Sequence, residues 1–261
     1  MNNIEKNMLE VLLSLKQDYG IVGVKSDFEA EGSRLDETFR LKELLEKAGI
    51  DLFVKIGGCE AVGDLYSCKE LKAKGIIAPM IETDFAAKKF LQAVKSVYEG
   101  NFKNVDLLIN TETKTSIYNI DNILRESNKI IRGIVIGRVD LSSSMGLSRG
   151  DINSSVILDS CIYLSKKAKE FGLKSAFGGG ITFNTIPFII KLKGVISSFE
   201  SRKVIFRYDD NERRLKEVIA KAINFELLYL KDKEYRNVLT SIDKGRLNVM
   251  YSRLKDIKGS F

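Results

Sequence analysis

The feature that most constrains this chain is a rhythm: short β-branched runs alternate with longer amphipathic stretches from residue 20 to residue 206. The runs 20–28, 51–56, 76–81, 105–111, 131–139, 174–177 and 195–206 read as strands, and 35–48, 60–74, 84–98, 117–125, 154–171 and 185–192 as the helices between them. Strands such as Gly-Ile-Val-Ile-Gly at 133–137 lack polar alternation, so both faces are buried, as in a parallel sheet covered by helices. Repeated βα units predict an α/β fold, a (β/α)8 TIM barrel with a C-terminal helical extension. Seven strands are evident where a closed barrel needs eight. The eighth is expected in the second half of 195–206, after a bend at 197–202, or in the N-terminal segment. An open doubly wound sheet is the alternative, but the first βα turn lacks the Gly-x-Gly-x-x-Gly of a dinucleotide site.

With 261 residues, 44% of them hydrophobic, the chain can fill one core, and its two prolines and lack of a Gly/Ser linker give no place to divide the repeats. Residues 1–208 are expected to form the barrel with an N-terminal helix, and 209–261 helices that pack on it or on a neighbouring subunit. Residues 1–19 carry Glu5, Lys6, Glu10 and Lys16 among apolar positions, which suits an amphipathic helix and not a signal peptide. No apolar run approaches the ~20 residues of a membrane span. Cys59, Cys68 and Cys161 are odd in number and lack metal-ligand spacing, so they read as reduced thiols. A cytoplasmic protein without membrane contact is expected.

The formal charge is +7, yet residues 201–261 hold 15 Lys/Arg against 9 Asp/Glu, leaving the barrel nearly neutral. Because acids such as Glu212, Glu217, Asp232 and Glu234 interleave with the bases, the tail reads as a salt-bridged helical surface, and no nucleic-acid partner is expected.

Barrel enzymes carry their chemistry at the C-terminal strand ends. Here those ends hold Asp27, Glu29 and Glu31; Lys55; Glu82; Asn110 and Glu112; Arg138 and Asp140; Gly178–Gly180; and Glu200, Arg202 and Lys203. Glu112 and Asp140 follow adjacent strands, so their carboxylates can share one hard cation such as Mg²⁺ or Mn²⁺. Either could instead cap the helix that follows. Gly178 and Gly179 permit close backbone approach to a phosphate or carboxylate, or simply make a tight turn. Arg202 can hold a distal acidic group or sit in a structural ion pair.

Three strings carry a resemblance: Ile-Ala-Pro-Met-Ile-Glu-Thr at 77–83, Asn-Thr-Glu-Thr at 110–113 and Gly-Arg-Val-Asp-Leu-Ser-Ser-Ser-Met-Gly at 137–146. In order and spacing this pattern resembles the HpcH/HpaI aldolase and citrate lyase beta-subunit superfamily over roughly residues 20–208. The resemblance implies that Glu112 and Asp140 hold a divalent metal, Mg²⁺ or Mn²⁺. It further implies that the metal chelates a pyruvate-like unit, so that an enolate forms as a carbon–carbon bond breaks or is made. The amides of Gly137, Arg138 and Val139 would grip the substrate carboxylate. Lys55 stands where the superfamily usually has an arginine; it keeps the charge without the bidentate fork. It could form a Schiff base if its pKa were lowered, or be salt-bridged to Glu82 or Glu112.

The chain departs from the superfamily in containing no histidine. Acid–base work would fall to Asp27, Glu29, Glu31 or a metal-bound water, and Asp-Phe-Glu-Ala-Glu-Gly at 27–32 looks similar to an acidic stretch of the citrate-lyase branch. The expectation is a lyase acting on a small-molecule keto acid or an acyl thioester. A diverged barrel that binds an acidic metabolite or a protein partner, and a lysine-dependent aldolase, stand as alternatives. The tail reads as helices over 211–230 and 233–255, and because the superfamily often exchanges such helices between subunits, a homo-oligomer is expected.

Overall fold

The computed structural model describes residues 1–258. An N-terminal helix α1 (Asn3–Tyr19) precedes the first strand, β1 (Gly23–Asp27). The chain then alternates: α2 (Leu35–Ala48), β2 (Leu52–Lys55), α3 (Val62–Glu70), β3 (Gly75–Ala78), α4 (Asp84–Val97) and β4 (Asp106–Asn110). Next come α5 (Lys114–Tyr118), α6 (Ile120–Ser127), β5 (Gly133–Gly137), α7 (Arg138–Ser144), α8 (Ser155–Glu170), β6 (Lys174–Gly178) and α9 (Ile186–Lys191). The chain finishes with β7 (Ser198–Glu200), β8 (Val204–Arg207), α10 (Glu212–Tyr235) and α11 (Ser241–Lys258). The eight strands close in sequence order into one barrel. No helix among the described residues is long and apolar enough to cross a membrane.

Strands β1 to β7 are parallel, but β8 runs antiparallel to both β7 and β1. The second half of 195–206 thus supplies the eighth strand, but the bend expected over 197–202 is confined to the tight turn at 201–203, because 198–200 form β7 itself. Three residues cannot make the dozen-residue crossover that a parallel neighbour needs, so the strand has to return in the opposite direction. β8 therefore ends at the floor of the barrel, and α10 climbs back along the wall. At its start Arg214 pairs with Asp209 and donates to the Asp18 carbonyl; near its end Arg236 pairs with Asp232 and Glu5. Its 24 residues span about 36 Å, enough to bring α11 to the mouth. There Asp243 is ion-paired with buried Lys233 at 2.6 Å, and Arg246 with Glu226. The break between the tail helices falls at 236–240, later than the sequence suggested.

Alternation along the strands sorts the side chains into two sets. Val24, Leu52, Val54, Ile76, Leu107, Ile109, Ile134, Ile136 and Phe177 face outward into the large core beneath the helices. Inside the barrel, Ile77, Val135 and Ala176 pack with Leu108, and the inward residues above them become polar. Cys68 and Cys161 are buried and Cys59 half-buried; all three are free thiols.

Candidate functional site

The inward residues open at the C-terminal strand ends into a cavity of about 290 Å³. β1 contributes Lys25 and Asp27, two residues apart on one face; β2 contributes Lys55, β4 Asn110, β5 Val135 and Gly137, β6 Gly178, and β7 Glu200. Glu112, Val139, Asp140, Gly179, Gly180 and Arg202 add to the wall from the following loops and from α7. β5 ends at Gly137, so Asp140 lies in the first turn of α7 and not at the end of the strand as its sequence position suggested.

Glu112 and Asp140 share this cavity. Glu112 is buried, 1% exposed; its Oε1 accepts the Met80 amide at 3.0 Å and its Oε2 the Asn110 Nδ2 at 2.8 Å. A methyl group at Gly137 would stand 2.3 Å from Glu112 Oε2, so only glycine lets the carboxylate approach the β5 backbone this closely. Burial pushes the Glu112 pKa up and the Asp140 charge adds to this, while Lys55, the Met80 amide and Asn110 oppose. Asp140 is half-buried and makes no hydrogen bond or ion pair among the described residues. The buried Oδ1 of Asn110 has no hydrogen-bond partner among the described residues either. A hard cation would suit this donor set: two carboxylates whose charges repel, plus an amide oxygen left unsatisfied. Among the described residues no group of three or more His, Cys, Asp or Glu could hold a metal, so a cation here would leave coordination positions for water and substrate.

The other acids separate by their partners. Glu29 is ion-paired with Lys55 at 2.5 Å. Glu31 is buried between Arg202, at 2.7 Å, and fully buried Lys203, which also lies 4.3 Å over the Tyr229 ring. Asp27 lines the cavity and accepts the Ala30 amide at 2.8 Å on Oδ1, without an ion pair among the described residues. Burial would lower the Lys55 pKa, but Glu112, 3.7 Å away, together with Glu29 and Asp27, raises it above the ordinary lysine value. Lys55 is therefore held as an ammonium, the opposite of what a Schiff-base lysine requires. Its partners are Glu29 and Glu112, not Glu82.

Arg138 does not line the cavity, although its neighbours Gly137 and Val139 do. Its guanidinium is fully buried, lies 4.7 and 4.6 Å from the Phe177 and Phe188 rings, and donates to Gly178 O, Gly179 O, Ile152 O and Asn153 Oδ1. Burial pushes its pKa down to about 10, with no acid paired to it among the described residues. It ties the glycine loop after β6 to the segment after α7. At Gly179 φ is +88°, and an added methyl group would press on Val139 at 3.0 Å, so glycine is required on both counts.

Sequence reasoning did not single out Lys25, buried and ion-paired with Glu200 on the inner wall, nor Arg149, Arg246 and Arg253, which complete the lining. A lysine two residues before Asp27 in a buried strand is a readable signal. The three arginines carried none, since their positions depend on how the tail docks.

Comparisons with known proteins agree with this architecture. The family model for HpcH/HpaI aldolase/citrate lyase matches residues 45–177. A hydroxypyruvate/pyruvate aldolase of Roseobacter denitrificans is 28% identical over 149 residues, covering 46% of this chain and 57% of that protein. The match thus spans little more than half the length of that relative. Among solved structures, an HpcH/HpaI aldolase from Desulfitobacterium hafniense aligns with a TM-score of 0.61 at 12% identity, over 83% of this chain and 87% of the other. A citrate lyase from Burkholderia xenovorans aligns with a TM-score of 0.58 at 13% identity, over 98% and 89%. These structural likenesses carry the fold, whereas the sequence match covers half of the chain and carries the kinship. The chain belongs to the HpcH/HpaI aldolase/citrate lyase family.

Proposed function

We propose that this protein is a metal-dependent carbon–carbon lyase or aldolase that acts on a pyruvate-like keto acid or a carboxylated thioester. One observation supports the reading above all: Glu112, Asp140 and Asn110, whose buried Oδ1 has no partner among the described residues, line one cavity beside a charged lysine. Glu112 and Asp140 would hold Mg²⁺ or Mn²⁺, which when bound acts as a Lewis acid toward the substrate's keto and carboxylate oxygens. The chain's own residues do the rest. Lys55 stays protonated and offsets negative charge as it develops on the substrate. The backbone of Gly137–Val139 and the loop at Gly178 and Gly179 give the carboxylate end a wall without bulky side chains. Asp27 takes the acid–base role, because Glu29 is engaged by Lys55 and Glu31 by Arg202 and Lys203, while Asp27 faces the cavity without an ion pair. Assembly as a homo-oligomer and a cytoplasmic location belong to the same reading.

Incorporation of solvent deuterium into pyruvate, followed by proton NMR with Mg²⁺, with Mn²⁺ and with EDTA, tests the proposal. Metal-dependent exchange that disappears in Glu112→Gln and Asp140→Asn is the expected result. Exchange unaffected by EDTA would reject the metal role. Its absence across keto acids and acyl thioesters would favour a barrel that binds acidic metabolites without turnover.

A further inference from the structure

The cavity has a second, distinct electrostatic end. Arg149, Arg202, Arg246 and Arg253 all line the cavity, and the first three lie near enough to Arg253 for their charges to act on it. Four guanidinium groups thus converge on one side of the mouth from three separate parts of the chain: the segment after α7, the β7–β8 turn, and α11.

The two arginines of α11 are there because of how that helix docks. Asp243, Leu247 and Met250 are buried at helical spacing and form its packing stripe. Arg246 and Arg253, seven residues apart, lie along the edge of that stripe and line the cavity, about 10 Å from each other along the helix axis. Glu31, Glu226 and Asp27 act on Arg202, but they do not pair with every arginine of this side. Arg202 is matched by Glu31 and Arg246 by Glu226, but Arg149 and Arg253 have no ion pair among the described residues. Burial pushes the Arg253 pKa down to about 10, with Arg246, Arg149 and Arg202 reinforcing the shift against Glu226. Positive charge left uncompensated in a concave, half-buried site favours an anion.

We propose that Arg149, Arg202, Arg246 and Arg253 form a subsite for a second anionic group of the substrate, a carboxylate or a phosphate at the end remote from Glu112 and Asp140. The proposal rests on the lyase reading of the cavity and narrows its substrate class. At about 290 Å³ the cavity lies at the low end of ligand sites, roughly 300–1,000 Å³. It suits a small polyacid better than a bulky thioester.

Isothermal titration of the full-length protein tests this with three probes: oxalate in the presence of Mg²⁺, and tricarballylate and inorganic phosphate in EDTA. The double variant Arg149→Gln/Arg253→Gln should lose about tenfold or more in affinity for tricarballylate, for phosphate or for both, as expected for lost charge-assisted hydrogen bonds. Oxalate affinity should change little. Whichever of the two probes binds identifies carboxylate or phosphate as the matching group. Unchanged affinity for both in the double variant, or an equal loss for oxalate, would overturn the proposal. Arg149 is exposed and unpaired among the described residues, so Arg149→Gln alone provides a variant that does not strain folding. Arg253→Lys, keeping the charge without the fork, should fall between wild type and Arg253→Gln. If arginine-dependent polyanion binding persists while deuterium exchange is absent across keto acids and acyl thioesters, the lyase reading fails and the subsite stands. Exchange accompanied by arginine-independent binding rejects the subsite alone.

Discussion

Glu31→Gln separates a structural acid from a catalytic one. The wild-type carboxylate bridges Arg202 and Lys203, and Lys203 is 2% exposed with the Tyr229 ring as its other neighbour. Replacing the acid by an amide strands the Lys203 charge, and breaking a buried pair from one side costs about 3–5 kcal/mol. Against a typical stability of about 5–15 kcal/mol, the variant should still fold with a markedly lower urea midpoint. Burial works against ionised Glu31, but Lys203 and Arg202 outweigh it and hold the carboxyl below the ordinary glutamate range. A depressed folded-state pKa stabilises fully above the unfolded value and is lost as pH falls through the folded one. The stability gap between wild type and Glu31→Gln should therefore be full near neutrality and shrink once pH drops below about 4.3. Adding Lys203→Met should restore most of the lost stability, since the stranded charge is then gone. A loss below about 1 kcal/mol, with deuterium exchange into pyruvate abolished, would refute this reasoning and return Glu31 to the chemistry.

Gly137→Ala should cost about 1–3 kcal/mol by overpacking and weaken Mn²⁺ binding measured by calorimetry, because its methyl group would displace Glu112. Borohydride reduction in the presence of pyruvate should leave the protein mass unchanged, since Lys55 is held as an ammonium; a pyruvyl adduct mapped to Lys55 by peptide mass spectrometry would contradict that. Phe53→Ala should lower stability by about 3–5 kcal/mol in denaturant titrations, because the Phe53 ring fills the space left by Gly23 and Gly75 at the barrel floor.

The sequence periodicity carried the barrel because parallel strands buried on both faces leave a composition that few other folds tolerate. It could not carry the direction of β8, since an apolar run reads the same whichever way it pairs; only the length of the 201–203 turn held that information. α7 is hidden for a related reason: Arg138 and Val139 follow the β5 strand without a break in composition, so the sequence reads as one strand through residue 139. Glu112, Asp140 and Lys55 were legible as polar residues closing apolar strands. Glu31 and Arg202 were equally visible, but their mutual pairing depends on three-dimensional proximity across 171 positions. Arg246 and Arg253 were visible only as tail charge, because no local pattern reveals which helix edge meets the mouth.

Reversing the last strand also decides where cargo can be attached. Asn2 donates to Asp232 near the upper end of α10, and Arg246 and Arg253 of α11 line the cavity, so the start of α1 and the face of α11 both lie on the mouth side of the barrel. A fluorophore placed at Asn2 or on the exposed side of α11 would stand on the entrance side. Exposed residues at the floor, such as Arg132 and Lys174, offer attachment points on the opposite face, where a label leaves substrate entry unobstructed.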